Sequence, residues 1–272
     1  MNGHSFIEST LRGFARALAK ALHSEQSACQ RGLLQALDPR VRVVGILAMV
    51  ISVIVCRRLE IIAGLLLLAI VIAITSRVSL LSLVTRVWIV ILGFTGLIAL
   101  PALFLTPGEP LLTVPWVHAV VSVQGLKAAG LLVLRVETAA TLTTLLVLCT
   151  PWPHILKALR SLHLPAEVIT MLSMTHRYIF LLIETANQMF ESRQSRTVGT
   201  LSGSEQRTVA ARTAGVLLGK SIELSHEVYL AMLSRGFHGE VYLLADFRMR
   251  AIDYMAITTF LAASGAAIWI GR

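Results

Sequence analysis

Residues 41–75 read VRVVGILAMVISVIVCRRLEIIAGLLLLAIVIAIT. Two apolar runs, 41–56 and 59–75, are separated only by Arg57 and Arg58. A helix that crosses a membrane needs about 20 mainly apolar residues. Two such runs joined by so short a polar pair predict a tight helical hairpin in a bilayer. The stretch therefore predicts an integral membrane protein built from helices.

Composition supports the same interpretation. Of 272 residues, 56% are hydrophobic and 14% are charged, whereas a soluble domain carries about 25% charged residues. The net charge is +9, but the basic residues lie between and beside the apolar runs. Nucleic-acid binding would need a basic face with interleaved aromatic residues. The pattern instead indicates lipid headgroups as the partner, so a lipid membrane is expected and nucleic acid is not.

Three further apolar runs follow, at about 87–105, 125–150 and 252–270. Together with the hairpin they predict an all-α integral membrane protein with about five transmembrane helices. The first four spans fall in 41–150 and the last in 251–272.

Residues 151–250 have a different character. They contain nine Arg and two Lys against eight acidic residues, and their apolar residues are spaced rather than continuous. The spacing predicts three amphipathic helices, at about 153–163, 166–195 and 206–236, with a polar loop at 197–206. Helices this long suggest arms that lie on a membrane or against a partner.

The N-terminal segment, 1–40, carries an apolar stripe with basic residues off it. The stripe recurs at steps of three and four residues and consists of Ile7, Leu11, Phe14, Leu18 and Leu22. This predicts an amphipathic helix on the cytoplasmic membrane surface or, equally, one packed on the protein. The first long apolar run begins only after about 40 residues, so no cleavable signal peptide is expected.

Charge predicts the orientation. The loop at 106–124 contains no Lys or Arg, whereas 1–40 and 151–250 are rich in both. Basic loops stay on the cytoplasmic side, which predicts a multi-pass protein of the inner cell membrane with a cytoplasmic N-terminus. Arg57 and Arg58 are the exception, because this arrangement puts them outside.

Chemistry-bearing motifs are few. Residues 214–221, AGVLLGKS, match a relaxed P-loop pattern, but polar helical residues precede them where a P-loop needs a buried strand. Helical spacing continues through the match, so ATP binding is not expected. The histidines lack metal-ligand spacing, and no nucleophile elbow or carboxylate pair is present. A non-catalytic subunit without cofactor or bound metal is therefore predicted.

Arg135 lies inside the fourth span, with Glu137 nearby. A charge at the bilayer centre costs roughly 3 kcal/mol or more. One interpretation is contact with a partner subunit or a water-filled seam. The other is that Arg135 lies near the outer end of a tilted helix and extends its charge to the interface. The sequence leaves both open.

Two tripeptides in which arginine has small neighbours end the long helices of 151–250. They are Ser195-Arg196-Thr197 and Ser234-Arg235-Gly236. An arginine at a helix end complements the helix dipole. Two such motifs on the same predicted side favour a second interpretation, in which each guanidinium fork contacts carboxylates or carbonyls of a partner.

The chain resembles the transmembrane T component of energy-coupling factor (ECF) importers, of the cobalt/nickel CbiQ-type branch. The resemblance covers about 35–272. It rests on Leu37-Asp38-Pro39-Arg40, Cys149-Thr150-Pro151, residues 162–165 (LHLP), residues 177–182 (RYIFLL) and residues 234–237 (SRGF). Many relatives have glycine where this chain has Thr197.

The resemblance implies an energy-coupling subunit. It would link two cytoplasmic ATPase subunits to a substrate-binding membrane subunit, with the two arginine motifs ending coupling helices that contact the ATPases. The metal ion would be bound by the partner. The rival interpretation is a stand-alone transporter or conventional ABC permease, whose polar path would depend on Arg135, Glu137 and the threonines Thr138, Thr141, Thr143 and Thr144. A membrane enzyme is a weaker third interpretation.

Overall fold

The computed structural model describes residues 32–76, 78, 83–105, 110–114, 119–162, 164–196, 202–238 and 249–272. These residues fall into two compact units, 32–158 with 249–272 and 159–238. The predicted N-terminal amphipathic helix, with its stripe from Ile7 to Leu22, lies outside the described residues. The first unit is called the bundle below, and the second is called the arm unit.

All five predicted spans are helices, which confirms the all-α membrane fold. The bundle contains a short helix followed by the five long ones: α1 (Leu33–Ala36), α2 (Pro39–Val55), α3 (Leu59–Thr75), α4 (Ile89–Leu105), α5 (Val123–Cys149) and α9 (Ala251–Gly271). A π-helical turn, Val84–Trp88, leads into α4. The observed ends lie within about two residues of the predicted ones, which is the ordinary scatter of helix boundaries.

The hairpin that opens the bundle follows from local sequence. Asp38 precedes α2, and its carboxylate accepts a hydrogen bond from the Arg40 N–H at 2.9 Å. Pro39 occupies the first helical position, where its missing N–H is no loss. Both α2 and α3 have 17 residues, and only Cys56, Arg57 and Arg58 connect them.

A small antiparallel hairpin lies in the loop between α4 and α5. Strands β1 (Pro110–Val114) and β2 (Ala119–Ser122) pair with Thr113 opposite Val120. The sequence patterns used above did not predict it, because four- and five-residue strands leave only a weak alternation signal. The side chain of Ser122 then caps α5 by accepting from the Gly125 N–H at 2.9 Å.

The bundle packs closely where small residues permit it. Helix α9 lies along α2, and α5 contacts α2, α3 and α4. A Cβ atom on Gly45 would lie 2.7 Å from the Phe260 ring, so this helix crossing requires glycine. The Ser264 hydroxyl donates to the Ala48 carbonyl at 2.9 Å across the same crossing. Met49, Ile62, Leu142 and Leu145 fill the buried centre.

The three helices predicted after the fourth span are present. They are α6 (Trp152–Ser161), α7 (Ala166–Gln194) and α8 (Gly203–Ser234). Helix α8 begins with a capping box in which Ser202 and Glu205 bond reciprocally. Hydrogen bonds from the Ser202 N–H and hydroxyl lower the pKa of Glu205, which favours its charged form at this helix N-terminus.

By length and composition alone, three helical stretches in the described residues could cross a membrane: α5, α9 and Ala166–Arg193 of α7. Leu59–Thr75 and Ile89–Pro101 are apolar but shorter. Helix α7 was predicted to be a cytoplasmic amphipathic arm. Its hydropathy does not distinguish that placement from a span, so the placement stays a prediction.

Candidate functional site: two helix ends with exposed arginines

The first predicted arginine motif follows the last turn of α7. Ser195 keeps helical dihedral angles, with φ −64° and ψ −20°, and its N–H bonds the Glu191 carbonyl at 3.1 Å. The Arg196 N–H bonds the Arg193 carbonyl at 3.0 Å. The main chain is therefore ordered up to Arg196, which extends from a complete helical turn. Thr197, the third residue of this motif, lies outside the described residues.

The second motif ends α8 in a Schellman motif. The Phe237 N–H bonds the Met232 carbonyl, and the Gly236 N–H bonds the Leu233 carbonyl, each at 3.0 Å. Gly236 has φ +80°, which is the left-handed conformation that glycine adopts without strain. The predicted stop at Gly236 is confirmed. Arg235 is the last residue before the chain turns.

Both guanidinium groups are available to a partner. Arg196 and Arg235 are exposed, and within the described part of the chain no hydrogen bond or ion pair engages either side chain. Neither side chain therefore bonds the last carbonyls of its helix there. The neighbours Ser195, Ser234 and Gly236 are small and exposed. The arrangement can bring two carboxylate-binding forks close to another surface.

An apolar groove runs between the first half of α7 and the second half of α8. Its volume is about 680 Å³, and it reaches Phe237, two residues beyond Arg235. Its lining is mostly apolar and includes Met171, Met174, Ile179, Leu182, Leu224, Val228 and Met232. An apolar groove of this size that continues to the arginine-bearing helix end is typical of a surface that contacts another protein or lipid.

The P-loop match lies in the interior of α8. Gly219, Lys220 and Ser221 fall within the helix Gly203–Ser234. A P-loop needs a loop whose free N–H groups surround phosphates, and these residues form no loop. The prediction that helical structure continues through the match is confirmed, and the prediction that this chain does not bind ATP stays a prediction.

Arg42 was not among the predicted site residues, although in the described residues it makes more side-chain hydrogen bonds to main-chain carbonyls than either predicted coupling arginine. Arg42, in the first turn of α2, is buried and joins three chain segments at one end of the bundle. Its guanidinium donates to the Leu37 carbonyl at 2.9 and 2.6 Å, to the Cys149 carbonyl at 2.7 Å and to the Gln35 carbonyl at 3.1 Å. It thus holds the end of α5 against the start of α2. Its place in a mostly apolar helix was the available signal.

Asp253 joins the last span to the same end of the bundle. Its carboxylate accepts from the Asp38 N–H and the Arg250 N–H, each at 2.8 Å. Both Asp38 and Asp253 are buried. Asp38, in the Leu37-Asp38-Pro39-Arg40 motif that carried part of the resemblance, is therefore a structural junction between α2 and α9.

His154 in α6 lies near this junction. Burial lowers the pKa of His154, and the positive charges of Arg42 and Lys157 lower it further, while Asp38 partly offsets them. The imidazole is therefore held in its neutral form over a wider pH range than in an unfolded chain.

Arg135 bonds the end of a neighbouring helix. Its Nη2 donates to the carbonyl of Cys56, the residue that follows α2, at 2.7 Å. Glu137 is buried on a different face of α5, and its carboxylate oxygens have no hydrogen-bond partner in the described residues. Thr138 and Thr141 bond carbonyls of their own helix, both at 2.7 Å. Glu137, Thr138 and Thr141 lie on the buried face of α5, whereas Thr143 is exposed on another face.

These observations define a class: a helical membrane protein whose two long, exposed helices each end in an exposed arginine. The chain belongs to the CbiQ family of cobalt transport proteins, because the family model described as "Cobalt transport protein" matches residues 30–243. It is therefore a membrane component from a family of transport proteins, and the predicted resemblance to the CbiQ-type branch is confirmed.

Two relatives match this chain over different lengths. An uncharacterized protein of Methanocaldococcus jannaschii, MJ1571, is 30% identical over 270 residues, covering 97% of this chain and 91% of the relative. Cobalt transport protein CbiQ of Rhodobacter capsulatus is 27% identical over 122 residues, covering 45% of this chain and 50% of the relative.

Proposed function

We propose that this chain is the energy-coupling membrane subunit of an ATP-driven ECF-type importer. It contacts two cytoplasmic ATPase subunits and a substrate-binding membrane subunit. It transmits the closure of the ATPases to the membrane without hydrolysing ATP itself. The substrate is a cobalt or nickel ion, which the partner binds. The protein lies in the inner cell membrane with its N-terminus on the cytoplasmic side.

The observation that carries the proposal is the pair of exposed arginines at Arg196 and Arg235. Each follows a long helix, and neither guanidinium has a partner within the described residues. A side chain that only complemented the helix dipole would be worth about 0.3–1 kcal/mol. A planar fork that becomes buried against a partner's carboxylates contributes more and depends on geometry.

The helix ends suit the transmission of force. Hydrogen bonds hold the main chain up to Arg196, and the Schellman motif fixes the turn after Arg235. Since helices of 29 and 32 residues are about 44 and 48 Å long at 1.5 Å per residue, a displacement at either arginine is carried along a rigid element. The ATPases would therefore displace the ends of two long helices, and the helices would carry that displacement toward the membrane.

The test is transport by the complex reconstituted with its ATPases and substrate-binding subunit. We expect the Arg196→Ala/Arg235→Ala double variant to lose ATPase binding or to hydrolyse ATP without transport. Truncating one partner of a buried interfacial pair costs about 2–5 kcal/mol. Arg→Lys variants should rescue poorly, because an ammonium group does not reproduce the fork. Near-normal transport by the double alanine variant would refute the proposal.

Two controls separate the arginine motifs from general effects. Arg207 is also exposed and lies in α8, but it ends no helix, so Arg207→Ala should cost under about 1 kcal/mol. Lys220→Ala should leave ATP hydrolysis by the complex nearly intact, because the residue lies inside a continuous helix. A loss as complete as that caused by removing a P-loop lysine would mean that this chain binds ATP.

The rival proposal, a stand-alone transporter or conventional permease, would need a polar path through the bundle. The hydroxyls of Thr138, Thr141 and Thr143 bond carbonyls of their own helix at 2.7–2.8 Å, and Thr143 is exposed while the other two are buried. Because Thr143 lies away from the buried face of α5, the residues named for such a path do not all share one face, which favours the coupling role. Transport by the chain alone in liposomes would reverse that preference.

A further inference from the structure

Three arginines surround one cavity at the end of the bundle where α2 ends. The cavity has a volume of about 510 Å³, and its lining consists of Arg57, Arg135, Arg272, Ile54 and Val55. Arg57 comes from the turn after α2, Arg135 from α5, and Arg272 follows α9. Among the described residues, no acidic side chain lines the cavity. Three parts of the fold therefore bring positive charge to one place.

The main chain holds these residues together. The Arg57 N–H donates to the Gly271 carbonyl at 2.8 Å, and the Arg135 guanidinium donates to the Cys56 carbonyl at 2.7 Å. A Cβ on Gly271 would lie 2.6 Å from the Cys56 sulfur, so the ends of α2 and α9 meet at contact distance. The cavity is thus a feature of the packed helix ends and not of one mobile side chain.

The positive charge is not neutralised within the described protein. Arg57 and Arg272 make no side-chain hydrogen bond or ion pair in the described residues. The Nε of Arg135 is buried without a partner there. One negative charge from the main-chain carboxylate of Arg272 would still leave a net positive charge on a lining that contains three arginines. A buried guanidinium N–H without a partner indicates that an acceptor is missing.

The depth of Arg135 in the bundle favours a bound anion. Arg135 precedes Cys149 by 14 residues in α5, which is about 21 Å along the axis at 1.5 Å per residue. Cys149 marks the opposite, Arg42-bound end of the bundle. Because the hydrocarbon layer is about 30 Å thick, Arg135 lies within that layer if Cys149 lies at its opposite surface, and Arg57 and Arg272 follow the helix ends beside it. Unpaired charges there are costly, and the cost falls when an anion accompanies them.

Apolar surface beside the cavity identifies the source of that anion. Leu47, Ile51, Ile54 and Val55 are exposed by 45%, 55%, 57% and 41% along one face of α2 that leads to the cavity. A free phosphate would gain nothing from this face. Acyl chains of a phospholipid could lie along it while the phosphate reaches the arginines, which is how a lipid-facing surface is normally covered.

We propose that Arg57, Arg135 and Arg272 form a binding site for the phosphate of an anionic phospholipid. The acyl chains of that lipid lie along the exposed apolar face of α2. The bound phosphate joins the α2–α3 turn, α5 and the end of α9 through charge-assisted hydrogen bonds. This site is independent of the coupling role proposed above. It also accounts for Arg57, one of the two cations that the orientation rule leaves on the unexpected side.

The test measures lipid retention by the full chain. Protein purified in mild detergent is exchanged with mixed micelles of phosphatidylglycerol and phosphatidylcholine, and bound lipid is counted by native mass spectrometry. Wild-type protein should retain phosphatidylglycerol in preference to phosphatidylcholine. The Arg57→Gln/Arg272→Gln variant should bind it about thirtyfold more weakly, the loss expected for two arginines near a charged headgroup. Arg135 is left intact because it also bonds the Cys56 carbonyl.

Arg58→Gln is the matched control. Arg58 is exposed and adjacent to Arg57 but does not line the cavity, so this variant should bind lipid like the wild type. An equal loss in Arg58→Gln would mean general surface attraction and would overturn the site. Equal retention of the two lipids by wild-type protein would also overturn it.

Two further measurements distinguish a lipid from a free anion and from a protein carboxylate. Inorganic phosphate alone should not raise the unfolding temperature at concentrations where phosphatidylglycerol does; an equal rise would assign the site to a free anion. If the double variant keeps its lipid but fails to co-purify with a membrane partner, the arginines contact a protein carboxylate, and the lipid proposal is wrong. Helix content and burial of the Cys56 thiol should stay unchanged in the double variant, which verifies its folding.

Discussion

At the scale of single residues, Arg42 and Asp253 do most to hold one end of the bundle together. Arg42 donates to carbonyls from the segment before α2 and from the end of α5, while Asp253 accepts from the main-chain N–H groups just before α2 and just before α9. Buried charged groups persist only when such partners satisfy them. These two side chains therefore decide how three helix ends meet.

Replacing Arg42 tests this role. Arg42→Met should keep the side-chain stem but leave the Leu37 and Cys149 carbonyls without their donors, lowering the free energy of unfolding by about 3 kcal/mol or more. Arg58→Met, at an exposed position, should cost less than about 0.5 kcal/mol. Thermal unfolding can be followed with a thiol-reactive dye, because Cys56 and Cys149 are buried. Similar losses in the two variants would contradict the assignment.

His154 makes stability depend on pH. Burial and the neighbouring cations Arg42 and Lys157 lower its pKa, so an unfolded chain binds the proton more readily than the folded one. The contribution is complete above the ordinary histidine pKa of about 6.5 and is lost as the pH falls through the folded value.

The expected result is a stability difference that changes with pH. Between about pH 7.5 and pH 5.5, wild-type protein should lose more stability than His154→Gln, which has no imidazole to protonate. Thermal unfolding followed by circular dichroism measures both proteins. Parallel losses over this range would mean that other groups cause the acid sensitivity.

At the scale of elements, the end of α8 depends on one glycine, whereas its interior does not. Gly236 has φ +80°, a conformation that costs a side-chain-bearing residue roughly 1–2 kcal/mol. Gly219 is helical and exposed, and a Cβ there would meet nothing within 4 Å. A side chain at position 236 is therefore unfavourable, whereas a side chain at position 219 is tolerated.

This contrast gives a paired prediction. Gly236→Ala should lower stability by about 1 kcal/mol and loosen the last turn of α8, because the left-handed turn is strained. Gly219→Ala should raise stability by about 0.5–1 kcal/mol, since alanine is the better helix former. Hydrogen exchange at the Phe237 N–H, which bonds the Met232 carbonyl, reports on the turn directly. Faster exchange in Gly219→Ala, or unchanged exchange in Gly236→Ala, would contradict this view.

At the scale of the whole molecule, two membrane placements fit α7: it crosses the bilayer, or it lies on the cytoplasmic side. Residues Ala166–Arg193 are long and apolar enough to cross a bilayer, yet the charge pattern predicts that 151–250 stay on one side. If α7 does not cross, positions before and after it lie on the same side of the membrane.

Cysteine labelling decides the placement. In a Cys29→Ser background, Ser161→Cys and Ser204→Cys should react with an impermeant maleimide from the cytoplasmic side. Pro110→Cys should react from the opposite side, as the positive-inside rule requires. Opposite sidedness of 161 and 204 would make α7 a span, and equal access of 110 and 204 from outside would refute the orientation.

The sequence by itself determined that this is a helical membrane protein and where its long helices run. Apolar runs and helical spacing are local signals, so the spans and the three helices after them were predicted to within a few residues. The glycine that stops α8 was also readable, because a left-handed turn favours glycine wherever it occurs. The arginine motifs were visible for the same reason, since a helix end is a local event.

Only the tertiary structure decided which distant residues meet. Arg42 reaches Cys149 across 107 positions, and Asp38 reaches Asp253 across 215; no periodicity indicates such pairs. Arg135 was equally ambiguous until its bond to the Cys56 carbonyl placed it beside Arg57 and Arg272. Helix formation depends on neighbours within about four residues, whereas the partners of a buried charge depend on how the helices pack.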